Sequence, residues 1–270
     1  AARVLEVSRL SFTHRGSGAR LGASGRISIS TGGPGLELSG QWRDLRWPLA
    51  ASDAALHSDA GSYSLHGLKP YAFTAAGALR LAAAPAMQFR AAGRLEHDGL
   101  EVADAALAAW GGQARLRGEL RWSPLERWSA AGSMRGLNIA ALRPAISGHL
   151  DFALAATGQG FGAGRSLQAN LTAISGNVRG QRASGHAAFA LAGADWQLQQ
   201  VRLQLGATRL EADGRIGAHP DLRFAVDAAD LALLHADARG RLQAAGHLRG
   251  DAHNPLLQAR FSGSELEYGT

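Results

Sequence analysis

The run Arg209-Leu210-Glu211-Ala212-Asp213-Gly214-Arg215-Ile216 decides the fold class. Charged residues stand at 209, 211, 213 and 215, and apolar or small ones fill the positions between. On a helix these four charges would spread around the circumference; on a strand they share one face. The segment therefore reads as a β-strand with one wet and one apolar side. The same period of two recurs in both directions along the chain. Leu222, Phe224 and Val226 alternate with Arg223, Ala225 and Asp227, and Leu150, Phe152 and Leu154 alternate with Asp151 and Ala153. Val201, Leu203 and Leu205 follow it, as do Phe189 and Leu191, Met87 and Phe89, Leu79 and Leu81, Leu36 and Leu38, and Ile27 and Ile29. Leu116, Leu171, Leu210, Ile216, Leu242 and Leu248 complete the set of inward-facing candidates. Glycines at 67, 77, 93, 118, 148, 185, 214 and 246 punctuate the runs and are read as hairpin turns. The expectation is an all-β protein: an elongated, twisted antiparallel sheet of roughly 18 strands at a spacing of about 4.8 Å.

Little competes with that reading. Ala103–Trp110 is rich in alanine, but Gly111-Gly112 stops any helix early, and a strand fits at least as well. Short turns of helix are expected within 49–60 and 137–142. No Pro/Gly/Ser-rich linker divides the 270 residues, so residues 1–270 are expected to form one continuous β-rich segment, part of a longer chain. A degenerate repeat of about 90 residues runs through it. Ser166-Leu167-Gln168-Ala169-Asn170-Leu171 resembles Leu256-Leu257-Gln258-Ala259-Arg260-Phe261, and Gly148-His149-Leu150 resembles Gly240-Arg241-Leu242.

Composition narrows the chemistry. With 35 glycines, 46% hydrophobic residues and 6% aromatics, the apolar positions are mostly Leu and Ala. The absence of cysteine removes disulfide scaffolds, thiol nucleophiles and cysteine-ligated metals. No run of 18 apolar residues marks a membrane helix, and the aromatics are too few for the two girdles of a transmembrane barrel. There is no G-x-S-x-G or H-E-x-x-H, so no enzyme is expected, and neither a metal nor a cofactor. Asp44, Asp53 and Asp59 lie close in sequence without a pattern for acid/base work. Gly158–Gly164 lacks the lysine and spacing of a phosphate loop and reads as a flexible connection. The +6 formal charge comes almost wholly from arginine, Lys69 being the one lysine. Arg90, Arg117, Arg202, Arg209, Arg215 and Arg223 are scattered among acids rather than clustered with stacking rings, which argues against nucleic acid. Their wet face is either plain solvated surface or, at a rim, a holder of lipid phosphates. Trp42, Trp47, Trp110, Trp122 and Trp128 read as core or cap residues.

Two architectures satisfy the alternation. One is a filled sandwich or solenoid. The other is an open curved sheet whose Leu- and Ala-lined side forms an apolar trough, matched in shape and chemistry to acyl chains.

A family resemblance bears on that choice. Gly40-Gln41-Trp42-Arg43-Asp44-Leu45-Arg46-Trp47-Pro48-Leu49, followed by Gly61-Ser62-Tyr63-Ser64-Leu65-His66-Gly67, resembles the G-x-W-x-x-L-x-W-P-L and S-x-G-x-L-x-x-G blocks of the TamB family. Gly111-Gly112, the stretch Gly118-Glu119-Leu120-Arg121-Trp122-Ser123-Pro124 and Trp128 are similar to its next elements. Gly136-Leu137-Asn138, Gly214-Arg215-Ile216-Gly217, Asp221-Leu222-Arg223-Phe224, Asp230-Leu231, Gly246-His247-Leu248-Arg249-Gly250 and Pro255 continue in family order, so that the resemblance runs over about 25–268.

What the resemblance implies is a β body curled into a taco-like groove, in the periplasm of a Gram-negative bacterium, anchored to the inner membrane by a segment absent here. It implies transport of phospholipid towards the outer membrane as a bridge-like conduit. It also implies a role in outer-membrane assembly with TamA, an Omp85-type barrel contacted through regions outside these residues. The inward residues named above, from Ile27 to Leu248, would then line the acyl-chain path. The other reading is a scaffold that receives client β-strands at an exposed sheet edge during outer-membrane protein assembly.

Overall fold

The structure, a computed structural model, describes residues 3–31, 33–47, 56–81, 86–160, 164–233 and 237–269. Seventeen strands account for nearly all of them. They are β1 (Arg3–Thr13), β2 (Arg20–Ser30), β3 (Gly33–Trp47), β4 (Leu56–Leu68), β5 (Tyr71–Leu81) and β6 (Met87–Leu95), then β7 (Gly99–Ala109), β8 (Gly112–Arg121), β9 (Arg127–Asn138), β10 (Gly148–Gln159), β11 (Ser166–Val178) and β12 (Gln181–Ala192). The last five are β13 (Asp195–Leu205), β14 (Thr208–Ile216), β15 (Asp221–Ala228), β16 (Ala238–Asp251) and β17 (Asn254–Tyr268). All belong to one sheet. The contacts divide the chain into two compact units, residues 1–132 with 158–164, and residues 133–157 with 165–270.

In the first unit β1 to β8 pair in sequence order, each antiparallel to the next. The register aligns apolar residues with apolar residues. One cross-strand row reads Phe12, Leu21, Trp42, Gly61, Gly77, Phe89, Leu107 and Ala114. Another reads Val7, Gly25, Leu38, Leu65, Phe73, Gly93, Val102 and Gly118. The intervening rows form the opposite face and are polar: Arg26 pairs with Glu37 on β3 and with Glu6 on β1, and Arg80 with Asp59. A slip of one residue would exchange the two faces entirely, which is why the alternation fixes the register.

The second unit repeats the plan with β11 to β17. Gly185, Leu203, Leu210, Val226, Ala244 and Phe261 form one apolar row, and Phe189, Leu198, Gly214, Leu222, Leu248 and Leu257 form another. On its polar face Arg202 lies opposite Glu211, Arg209 opposite Asp227, and Arg223 between Asp213 and His247. Bulges interrupt the ladders, for example between Leu198 and Val201, where Gln200 adopts φ 50° and its N–H donates to the Asp213 carboxylate at 3.1 Å. Such bulges add local twist.

The glycine reading needs correction. Gly77, Gly93, Gly118, Gly185, Gly214 and Gly246 stand inside strands rather than in turns, Gly67 lies one residue from the end of β4, and Gly148 opens β10. The cause is close approach. A Cβ on Gly214, whose φ is +126°, would sit 2.0 Å from the Asp221 carbonyl oxygen, and one on Gly61 would sit 2.0 Å from the Trp42 ring. Residues 103–109 are strand, as the short alanine run allowed. Of the two expected helical turns, Ile139–Ala141 forms a 3-10 turn capped by Asn138, whose side chain accepts from the Ala140 N–H at 3.0 Å. In the other, residues 56–60 are strand β4 and residues 49–55, including Asp53, lie outside the described residues.

Trp42 holds the first unit together. It is 6% exposed, and its ring lies over Gly61 towards Gly77, stacking on Tyr63 and on Phe89 at centroid distances of 6.5 and 6.2 Å. Its indole N–H donates to Ser58 Oγ at 2.7 Å, and that hydroxyl donates to the Ala78 carbonyl at 2.6 Å. Trp42→Ala is expected to cost about 3 kcal/mol or more in chemical denaturation, as for other buried tryptophans. Gly61→Ala is expected to cost about 1–3 kcal/mol in the wild-type background by overpacking, and much less once Trp42→Ala has removed the ring. Equal costs in both backgrounds would contradict the ring-over-glycine contact.

At one end of the second unit the Asp221 carboxylate is held below its usual range, first by its hydrogen bond with His247 at 2.5 Å and then by the charges of His247, Arg249 and Arg215. A carboxylate depressed on folding stabilises the folded state above its unfolded pKa of about 4, and that contribution is lost as pH falls through the folded value. Asp221→Asn is therefore expected to narrow the stability difference between neutral and acid pH, read from urea midpoints at pH ~7 and pH ~3.

Candidate functional site

The candidate site is the apolar face of each unit, because among the described residues no other feature gathers so many of one chemistry on one surface. In the first unit the expected lining residues Ile27, Ile29, Leu36, Leu38, Leu79, Phe89 and Leu116 all fall in its apolar rows, as the register requires. Leu81 stands opposite Leu56, and its side chain lies outside the described residues. In the second unit Leu171, Phe189, Leu191, Val201, Leu203, Leu205, Leu210, Ile216, Leu222, Phe224, Val226, Leu242 and Leu248 share one face. Leu150, Phe152 and Leu154 are half-buried on β10 between exposed His149 and Asp151 and exposed Ala155.

These faces are only partly covered. Among the described residues thirteen hydrophobic ones are buried, including Trp42, Phe73, Met87 and Leu191, while most of the face is half-exposed. Apolar-face residues left well open include Leu5, Phe12 and Ile29 in the first unit and Ile216, Leu257 and Phe261 in the second. The accessible surface totals 17044 Å². A globular chain of 28.1 kDa would expose about 11,000 Å². The shortfall in burial is what a second apolar layer would otherwise supply. The seventeen strands belong to one sheet rather than to two separate sheets closing over each other.

Aromatic rings do not plug these faces, for a reason legible in the register. Tyr63 stands opposite Gly40, Trp42 opposite Gly61, Phe89 opposite Gly77, Phe73 opposite Gly93 and Phe224 opposite Gly246. At Gly40, Gly61, Gly93 and Gly246, a Cβ would meet the partnered ring at 2.0–2.9 Å. At those four positions the ring lies along the sheet over the bare backbone of its neighbour. The surface stays thin and apolar.

Several residues of this face escaped the sequence reading. Trp42 reads in the sequence as a core or cap residue without its place on this face, and Tyr63 and Phe73 are not singled out, because their glycine partners lie on neighbouring strands and are set by register. Leu5, Leu10 and Phe12 were hidden because the bulge between Val7 and Leu10 shifts the parity of β1. The parity change itself, apolar at 5 and 7 and then at 10 and 12, was the available signal.

The polar side holds the charges. Arg121 is ion-paired with Glu119, Glu96 and Asp98, and its guanidinium is held more firmly protonated by hydrogen bonds to Glu119 and Glu96. This cluster ties together the ends of β6, β7 and β8. Burial raises the Tyr63 phenol, which donates to the Gly22 carbonyl at 3.1 Å. Asp44, His57 and Asp59 bring three potential ligand atoms within 4.8 Å of one another. Asp59 is already engaged by both the Arg80 guanidinium and His57 Nδ1, the latter at 3.6 Å, so an internal cation supplies the charge a metal would bring. Trp122 donates to the His97 carbonyl at 3.2 Å, fitting its reading as a cap. No helix of the described residues is long and apolar enough to cross a membrane.

No curated protein and no solved structure matches the chain. A family model does, over residues 9–270, and it is described as TamB, N-terminal domain. That family is a non-enzymatic transport and assembly component of the bacterial envelope that works with TamA in the translocation and assembly module. An all-β antiparallel sheet with one polar and one half-covered apolar face, matched over nearly its whole length by that family model, places this chain in the TamB family.

Proposed function

We propose that this chain is a non-enzymatic lipid conduit of the periplasm, in which the apolar face solvates phospholipid tails while the headgroups stay near water. The observation that supports this most directly is the continuity of the apolar rows across successive strands, combined with their incomplete cover. Transferring a methylene from water to such a face yields about 0.8 kcal/mol when it is fully buried. Many equal, weak contacts along Leu203, Leu210, Val226 and their neighbours would hold a chain without one deep trap. The ~90-residue similarity between β11 and β17 fits a surface built by repeating strands. Membrane anchorage and contact with TamA belong to other regions of the full protein in this reading.

A second reading keeps the module role and replaces lipid by client strands. It draws on β17, whose fifteen residues are all exposed, Phe261 and Tyr268 to more than three quarters. Strand addition to such an element is an established recognition mode.

Purified without detergent and extracted with organic solvent, the protein is expected to release phospholipid of mixed headgroup type in at least equimolar amount, measured by mass spectrometry. Leu203→Arg and Phe224→Arg place a charge on the apolar face and are expected to reduce that lipid about twofold or more with the β-sheet circular dichroism retained. Lipid-free protein, reproducibly folded, would favour the strand-addition reading, for which a proline at Gln258 in β17 should abolish client assembly and Leu203→Arg should spare it.

A further inference from the structure

The polar face of the first unit contains a feature that neither reading uses. Across β1, β2 and β3 lies an open hollow of about 530 Å³, lined by Arg9, Arg20 and Arg43 together with hydroxyl and amide side chains such as Ser11, Ser39 and Gln41. Arg20 and Arg43 are directly opposite each other in the β2–β3 ladder. Opposed residues of antiparallel strands have Cα atoms about 4.5–5.5 Å apart, and like charges in that position repel. Arg9 joins them from the bulge of β1, between Val7 and Leu10.

Several other arginines of the polar faces are answered by acid. Arg26 has Glu6 and Glu37, Arg80 has Asp59, Arg121 has three carboxylates, and Arg202 has Glu211. The hollow near Arg209 and Arg260 includes Glu211 and Asp227, the one near Arg90 includes Asp104, and the one near Arg26 includes Glu37. The β1–β3 hollow has no carboxylate in its lining, and no ion pair among the described residues engages Arg9, Arg20 or Arg43. Among the described residues, the side chains of Ser11, Ser39 and Gln41 make no hydrogen bonds that would compete for a ligand. Three guanidinium forks with free hydroxyl and amide donors form a receptor for tetrahedral oxyanions, since arginine meets phosphate oxygens through paired N–H donors.

We propose that the hollow formed by Arg9, Arg20 and Arg43 on the polar face of β1–β3 is a binding site for a phosphate group. The group is either the phosphate of a lipid headgroup presented at a membrane surface or free phosphate. The site lies on the face opposite the apolar rows and stands independently of the lipid-conduit reading: the conduit could fail, with no lipid extracted, and the phosphate site remain, or the reverse.

Isothermal titration of the purified chain with inorganic phosphate at low ionic strength tests the site directly, and sedimentation with phosphatidylglycerol or phosphatidylcholine vesicles identifies the source. Saturable phosphate binding is expected, weakened about tenfold or more by Arg20→Gln and by Arg43→Gln. Arg223→Gln, which removes the same charge from a position facing Asp213, should leave it within about twofold. Because Arg20→Gln and Arg43→Gln relieve a like-charge contact, neither should lower the thermal midpoint, and this guards against reading misfolding as lost binding. Sedimentation with phosphatidylglycerol that depends on Arg20 and Arg43 and is competed by phosphate assigns the site to a headgroup. Phosphate binding without Arg20-dependent sedimentation assigns it to free phosphate. Absence of saturable binding to both probes by folded protein, or equal weakening in Arg223→Gln, overturns the proposal.

Discussion

The organisation of this protein depends on a steric exchange across neighbouring strands, in which a large ring on one strand is matched by a glycine on the next. Trp42 over Gly61, Tyr63 over Gly40 and Phe224 with Gly246 are instances of it. A ring standing upright on an open sheet would leave one flank in water and obstruct the surface. Laid flat over bare backbone, it buries much of its area without any second layer. Trp42 shows how far this goes, reaching near-complete burial and a ring contact with β6 while anchored on β3. Single-sided burial replaces the two-layer packing by which most sheets are stabilised. Gly40, Gly61, Gly93 and Gly246 follow from this constraint rather than from a need for turns.

The same constraint separates the two faces by chemistry. Because the apolar face is not shielded by a partner layer, a charge placed there would be half-desolvated with no counterion in reach, and the rows accordingly contain none at their centres. Charges are confined to the other face, where cross-strand pairs such as Arg209 with Asp227 alternate in sign. The β1–β3 hollow differs from such pairs, with Arg20 and Arg43 directly opposed and no carboxylate in its lining, and two like charges set opposite each other are where a functional explanation is worth seeking.

How far the sequence disclosed this can be judged element by element. The charge alternation in 209–216 predicts both the strand β14 and which of its sides is wet, since a period of two has no helical alternative when every second residue is charged. That the apolar residues of β12 to β16 share one face was legible for the same reason. The rings of Trp42, Tyr63 and Phe73 were not, because their meaning lies in a partner glycine on another strand, and pairing partners are set by register rather than by local pattern. Glycines 77 and 214 were misread as turns on the same account: a residue that lets backbones approach looks, in one dimension, like a residue that lets a backbone reverse. The phosphate hollow was invisible too, since Arg9, Arg20 and Arg43 are separated by eleven or more residues and only hydrogen bonding of β1, β2 and β3 unites them.

In the conduit reading proposed above, the apolar surface faces two opposed demands. It must be apolar enough to take methylenes from water, and it must offer no site so favourable that a chain stops there. In that reading rows of Leu, Val and Ala meet the first demand, and rings laid over glycine, as Trp42 is over Gly61, serve the second by not standing up from the surface. Polar specificity, where it is needed, then has to sit elsewhere. On a single sheet the remaining place is the opposite face or the strand ends, so a phosphate-binding hollow on the polar side of β1–β3 and an unspecific apolar side are two consequences of one architecture, in which each face of the same strands does a different job.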